Sequence, residues 1–293
     1  MIKTFLMFTL VLPASAALAQ SPTSQPVKVM GDPSSPDVIA NQNVNSVKPS
    51  SGDPLVDETL DKLEARGKTA KAIEADIQYD YITPGPIEGL EDTQTKTGTL
   101  FFVQTGQPRF LVHFTKKVQG GTVDRSAEYY AFDGLWLTER NDRSKSVIRR
   151  EVVRPGQNVD LFDLDRGPFP LPFGRSRAEM LRHFEIKLHS FHGGTKKDEP
   201  IQLRCLPREG TDLATRYRFV DLFVDRKLDL PTQVVCQRKI DENRINVKFA
   251  NVKEHVEIDV KRFVVPSPDG YQETVEPLQA PPPAATAAGS QDN

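Results

Sequence analysis

Residues 72–81 read Ala72-Ile73-Glu74-Ala75-Asp76-Ile77-Gln78-Tyr79-Asp80-Tyr81. Ile73, Ala75, Ile77, Tyr79 and Tyr81 alternate with Ala72, Glu74, Asp76, Gln78 and Asp80. That period of two predicts a strand with one apolar and one wet face. The segment just before it has a different period. Leu55, Val56, Leu60 and Leu63 recur at helical spacing between Pro54 and Ala70, which predicts an amphipathic helix. Asp53 is placed to cap it, Pro54 to open it and Gly67 to end it. After residue 81 the strand signal repeats. Residues 97–104 and 109–116 flank Thr105-Gly106, and residues 127–132 and 135–140 flank Asp133-Gly134, a two-residue hairpin signal. Residues 146–153 follow a polar turn. Later strands are predicted at 185–188, 201–207, 215–224, 232–240, 244–252 and 255–265, about eleven strands in all, mostly joined by short turns.

One stretch interrupts this pattern. Leu161, Phe162, Leu164, Phe169, Leu171 and Phe173 are punctuated by Pro168, Pro170 and Pro172. Ser176 then opens a short helix, with Glu179 at capping-box spacing. An antiparallel sheet of about eleven strands curls, and its concave face needs a cover. The first helix and this insert are the natural covers. The fold expected is mainly β: an incomplete, half-open antiparallel barrel with a helical lid.

The ends of the chain read differently. Lys3, the apolar run from Thr4 to Val11, Pro13 and Ala17-Leu18-Ala19 form a secretory signal, expected to be cleaved after Ala19. The apolar run is shorter than the roughly 20 residues that span a bilayer. No cysteine follows the cleavage site to carry a lipid. Residues 20–53 hold five prolines and no aromatic residue, and read as a disordered linker. Residues 277–293, with Pro281-Pro282-Pro283, read as a disordered tail. Residues 54–276 are left as one domain. Over 293 residues, 38 Lys and Arg face 40 Asp and Glu, for a net charge of −2. That balance argues against nucleic acid as a partner.

Export implies an oxidising compartment, where Cys205 and Cys236 could pair. The strand order argues for free thiols instead. The cysteines fall on the first and third of three successive strands, about 10 Å apart at a strand spacing of about 4.8 Å. A disulfide needs Cα atoms within about 7 Å.

The order of features resembles a known family. After the signal, helix and alternating strand come Gly98-Thr-Leu-Phe-Phe-Val103 and Pro108-Arg-Phe-Leu-Val-His-Phe114. Next are Asp133-Gly134-Leu135-Trp136, the apolar insert and the turn from Val224-Asp225 to Leu230-Pro231. Phe263 and Pro268-Asp269-Gly270 close the series. This is similar to the LolA/LolB-like superfamily, and within it to the periplasmic carriers of outer-membrane lipoproteins. Where those carriers have an Arg-Pro pair, this chain has Gln107-Pro108. The resemblance implies a half-open barrel with an apolar cavity for acyl chains. It also implies lipoprotein acyl chains or another lipid as cargo, with an inner-membrane release complex and an outer-membrane acceptor as partners.

Tyr79, Phe110, Val112, Phe114 and Trp136 are the candidate lining of that cavity, and Phe162, Leu164, Phe169, Leu171 and Phe173 its candidate lid. Each could equally be core filler, since apolar strand residues usually point inward. His189 and His192 share a metal-like spacing, but two histidines do not complete a tetrahedral site. Asp225 and Asp229 read as turn residues, and no nucleophile elbow or phosphate loop is present. No cofactor and no enzymatic activity are therefore expected. Arg149, Arg150 and Arg154 form a basic run, read as a solvated face or as a contact for an anionic headgroup. The function expected is a periplasmic acyl-chain carrier. The alternative is an envelope sensor or scaffold that uses the same half-barrel to bind a protein.

Overall fold

The computed structural model describes residues 48–87, 89–154, 156, 173–189 and 199–278. Helix α1 (Pro54–Thr69) begins where the sequence placed it. The Asp53 side chain accepts from the Leu55 and Val56 amides, and Pro54 takes the first turn. Gly67 does not end the helix. It sits inside the last turn because a Cβ there would lie 2.8 Å from the Gly174 Cα. Helix α2 (Arg177–His183) starts with the expected capping box: Ser176 accepts from the Glu179 amide and Glu179 from the Ser176 amide.

The strands are β1 (Ala72–Thr83), β2 (Asp92–Val103), β3 (Arg109–Gln119), β4 (Thr122–Asp124), β5 (Glu128–Phe132), β6 (Trp136–Asn141) and β7 (Ser146–Glu151). After α2 come β8 (Phe184–Leu188), β9 (Ile201–Pro207), a short helix α3 (Asp212–Arg216), β10 (Tyr217–Val224), β11 (Pro231–Arg238), β12 (Arg244–Glu254) and β13 (Gln272–Glu276). They form one sheet in the order β13-β7-β6-β5-β3-β2-β1-β12-β11-β10-β9-β8, with β4 added on β3. Two antiparallel meanders, β1 to β7 and β8 to β12, are thus joined through β1 and β12, where Tyr79 lies opposite Val247. Among the described residues the path of pairing does not close. The result is an incomplete, half-open barrel carrying a helical lid.

Alternation sorts the side chains onto two faces. On the inner face Val56, Leu60 and Leu63 of α1 join Ile73, Ile77, Leu100, Phe102, Phe110, Val112, Leu203, Val234 and Val247 in one apolar cluster that spans both meanders. Cys205 and Cys236 belong to it. Both lie opposite Val220, one on each side of β10, and both are free and fully buried. Burial pushes each thiol well above the usual range.

The structure corrects several expectations. Residues 255–265 are not a strand. β12 already has β1 and β11 on its two sides, and His255 turns the chain out of the sheet at φ 57°. The segment then crosses the outer face as a 3-10 turn, Val260–Phe263. There Phe263 and Val265 pack with Phe101, Val103, Leu111 and Ala131 in a second, smaller core. Residues 212–216, partly assigned to a strand, form α3 under a Thr211 cap. β13, which the sequence reading missed, runs parallel to β7. Among the described residues no helix is long and apolar enough to cross a membrane.

Candidate functional site

Five of the ten candidate residues come together on the inner face. Tyr79 meets Phe114 edge-on with ring centroids 5.8 Å apart. Phe114 meets Tyr130 at 6.2 Å, and Phe110 meets Phe132 at 6.1 Å. Val112 is fully buried between them in sequence. Phe173, just before α2, lies 5.9 Å from Phe102 of β2 and 5.1 Å from Phe249 of β12. These rings share one core cluster with Val56, Leu60 and Leu63 of α1 and Met180 and Leu181 of α2. Phe162, Leu164, Phe169 and Leu171 lie outside the described residues, as does His192.

Trp136 is not part of this set. In the turn before it Asp133 Oδ1 accepts from both the Leu135 and the Trp136 amides, at 2.9 and 2.8 Å, and beyond the turn Leu137 pairs with Phe132 and Thr138 with Ala131. Leu137 therefore points inward, into the inner cluster. Trp136 points outward, with the Arg149 guanidinium 5.6 Å over its ring.

Sequence reasoning missed the charged pair on this face. Lys96 and Glu128 form an ion pair, both largely buried, and the Lys96 ammonium lies 5.6 Å from the Phe114 ring centroid and 6.0 Å from that of Tyr130. A buried charge persists only when paired, and the aromatic faces add to that pairing. Burial, followed by the neighbouring Glu128 charge, pushes the Tyr130 phenol up, and burial does the same to Tyr79. Phe102, Phe132, Tyr130 and Phe249 were also missed. Phe102 was accessible from the sequence, since it shares the phase of Leu100 in Gly98-Thr-Leu-Phe-Phe-Val103.

The lid is fastened by polar contacts. Asp57, Asp61 and Glu64 line one side of α1, and Arg177 at the start of α2 is buried against them. Its Nη1 donates to Asp61 at 3.0 Å, its Nε to the Pro49 carbonyl at 2.5 Å, and its amide to Glu64 at 3.0 Å. Lys68 and, from the arriving chain, Lys48 pair with the same acidic side. At the other end of α1, Arg66 pairs with Glu254 of β12.

The outer face of the second meander has a different chemistry. Gln202, Arg204, Phe219, Asp221, Phe223, Gln233, Val235, Arg244, Asn246 and Ile82 line a groove of 340 Å3. Arg204 clamps Asp221 through Nε at 2.8 Å and Nη2 at 2.7 Å and stacks on Phe219 at 4.2 Å. Gln233 donates to Asn246, which donates to Asp80, which also accepts from Thr95. Among the described residues no group of three His, Cys, Asp or Glu side chains is placed to hold a metal.

No family model matches the chain, and no curated protein does. Several solved structures are similar to it. One is an uncharacterized conserved protein from Thermus thermophilus, 10% identical over 76% of this chain and 99% of that one, with a TM-score of 0.44. Another is MucB, 12% identical over 74% of this chain at a TM-score of 0.38; the chain spans 64% of MucB's length. A third is a LolA superfamily protein from Nitrosomonas europaea, 11% identical over 71% of this chain and 97% of that one, with a TM-score of 0.32.

Proposed function

We propose that this chain is an exported, periplasmic carrier that shields acyl chains of lipoproteins or other lipids on the inner face of its half-barrel. The observation that carries this reading is the covering of that face. A continuous apolar and aromatic surface, drawn from both meanders, is covered by two helices joined to each other through Arg177 and the acidic side of α1, while the barrel itself stays unclosed. Tyr79, Phe110, Val112, Phe114 and Phe173 contact the chain in this reading.

Magnitudes favour a reversible host. Burying about ten CH2 groups contributes on the order of 8 kcal/mol. Each charge-assisted bond of the Arg177 latch contributes roughly 1.5–3 kcal/mol net. Uptake and lid opening are therefore comparable, as a host that must also release its cargo requires. The chemistry is physical transfer, and no catalytic group is assigned.

Native mass spectrometry of the exported protein, purified without detergent, tests the reading. A mass excess that fragments to acyl lipid is the expected result. A bare mass, with no uptake of a fluorescent fatty-acyl probe, would contradict it.

A further inference from the structure

Two features stand outside the inner-face site: the basic pair Arg149-Arg150, and Trp136, which the structure moves to the outer face. Both lie at one edge of the sheet. β7 is the last strand of the first meander, and its free side is taken by β13 in the one parallel pairing of the described sheet, from Gln272 opposite Ser146 to Glu276 opposite Arg150. Neighbouring residues of a strand project to opposite faces, so the two arginines flank this edge from both sides. Arg149 stacks over Trp136 and approaches Glu273 Oε1 at 3.6 Å. Arg150 Nε donates to Glu276 Oε2 at 2.9 Å, and its Nη1 pairs with Glu139.

β13 itself is weakly embedded. Gln272, Glu273, Thr274 and Val275 are exposed, Val275 at 53%, and none of its residues belongs to either apolar core. The anchor of the C-terminal segment lies upstream, where Phe263 is 1% exposed in the second core. Gly270 turns the chain between anchor and strand at φ 79°. The strand is held mainly by its main-chain ladder and by two glutamate–arginine pairs. Losing it would leave the second core in place and open a strand edge with a guanidinium on each face.

We propose that the β7 edge is a recognition site for an extended acidic segment of a partner protein, and that β13 is its resident, displaceable occupant. Strand addition supplies affinity through the backbone, and side chains supply selectivity. Here the selectivity is for two carboxylates three residues apart, matching Glu273 and Glu276, each meeting one arginine through charge-assisted contacts. The site is independent of what the inner face binds.

The test uses the full chain carrying Glu273→Lys and Glu276→Lys, with a fluorescent peptide of residues 271–278, Tyr-Gln-Glu-Thr-Val-Glu-Pro-Leu, as the probe. Hydrogen exchange at 272–276 should speed up in the variant while the inner core stays protected. The peptide should bind the variant at least tenfold more tightly than the wild type, restore protection at 146–151 and lose affinity as salt rises. Thr274→Pro interrupts the ladder without placing lysines beside the arginines, and should give the same result. A peptide with both glutamates replaced by lysine should not bind. The proposal is overturned if exchange at 272–276 is unchanged, if neither peptide binds, or if both bind alike. Binding of the variants to anionic vesicles in preference to the peptide would reassign the arginines to lipid headgroups. Dimerisation of the variants at the concentrations used would reassign the edge to a second copy of this chain.

Discussion

The two faces of the sheet share their strands and differ in how they are kept dry. On the inner face both meanders contribute to one apolar cluster, and the charged pair there, Lys96 with Glu128, is largely buried and lies among aromatic rings. On the outer face the halves part company. The first is covered by the segment carrying Phe263 and Val265 and by cation-stacked rings such as Tyr129 beneath Arg140. The second stays uncovered; its buried carboxylate Asp221, and Asp80 of the adjoining β1, are satisfied through side chains from neighbouring strands. A face whose polar groups are already paired needs no lid. An apolar face does, and α1 and α2 are the elements placed over it.

The largest expected effect would break this contrast if it failed. Phe110→Ala removes a ring packed on Phe132 in the inner core, and should cost about 3–5 kcal/mol in urea unfolding. Phe223→Ala in the outer groove should cost under about 1 kcal/mol. Equal losses would mean that the faces are not distinct. A middle-sized effect sharpens the outer-face account. Asp221→Leu leaves the Arg204 guanidinium without its clamp and should cost roughly 1.5–3 kcal/mol. Asp221→Leu combined with Arg204→Leu should recover most of that, because an apolar pair of similar volume replaces a buried ion pair at little cost. No recovery would show that the wider polar network depends on both residues.

The smallest effect is one of pH. His113 stacks on Tyr129 at 4.2 Å, with Arg140 and Asp142 nearby. Burial, the largest cause, lowers its folded pKa below the ordinary 6.5; Asp142 opposes this and Arg140 assists it. The unfolded chain therefore takes up the proton first as pH falls. Stability from this group is complete above about pH 6.5 and is lost as pH falls from there through the lowered folded value. His113→Gln should flatten that part of the curve. An unchanged acid slope would place its origin elsewhere.

What the sequence disclosed was local. The alternation of residues 72–81, the Asp53 cap and the Ser176–Glu179 box are written within a few residues of each other, and each is found in the structure. The features it concealed depend on partners far along the chain. Nothing near residue 255 announces that β12 has strands on both sides. Trp136 faces outward because its neighbour Leu137 pairs with inward-facing Phe132, and adjacent strand residues alternate between faces. The Lys96–Glu128 pair and the Asp80 network join residues on different strands, and become visible only once register is known. β13 lacks an apolar pattern because it adds to an edge and covers nothing. Gly98 is a related case: a Cβ there would lie 1.9 Å from the His113 carbonyl, where the register with β3 shifts.

The central claim is that acyl chains enter the inner face. The most direct measurement is photo-labelling of the intact protein with a diazirine-bearing fatty acid, followed by mapping of the modified residues by mass spectrometry. The account predicts labels on inner-face residues, with Tyr79, Phe114, Phe173 and Phe249 foremost, and suppression of those labels by excess unlabelled fatty acid. Labels confined to Phe219, Phe223 and Val235 of the outer groove, or label that excess fatty acid does not suppress, would contradict it.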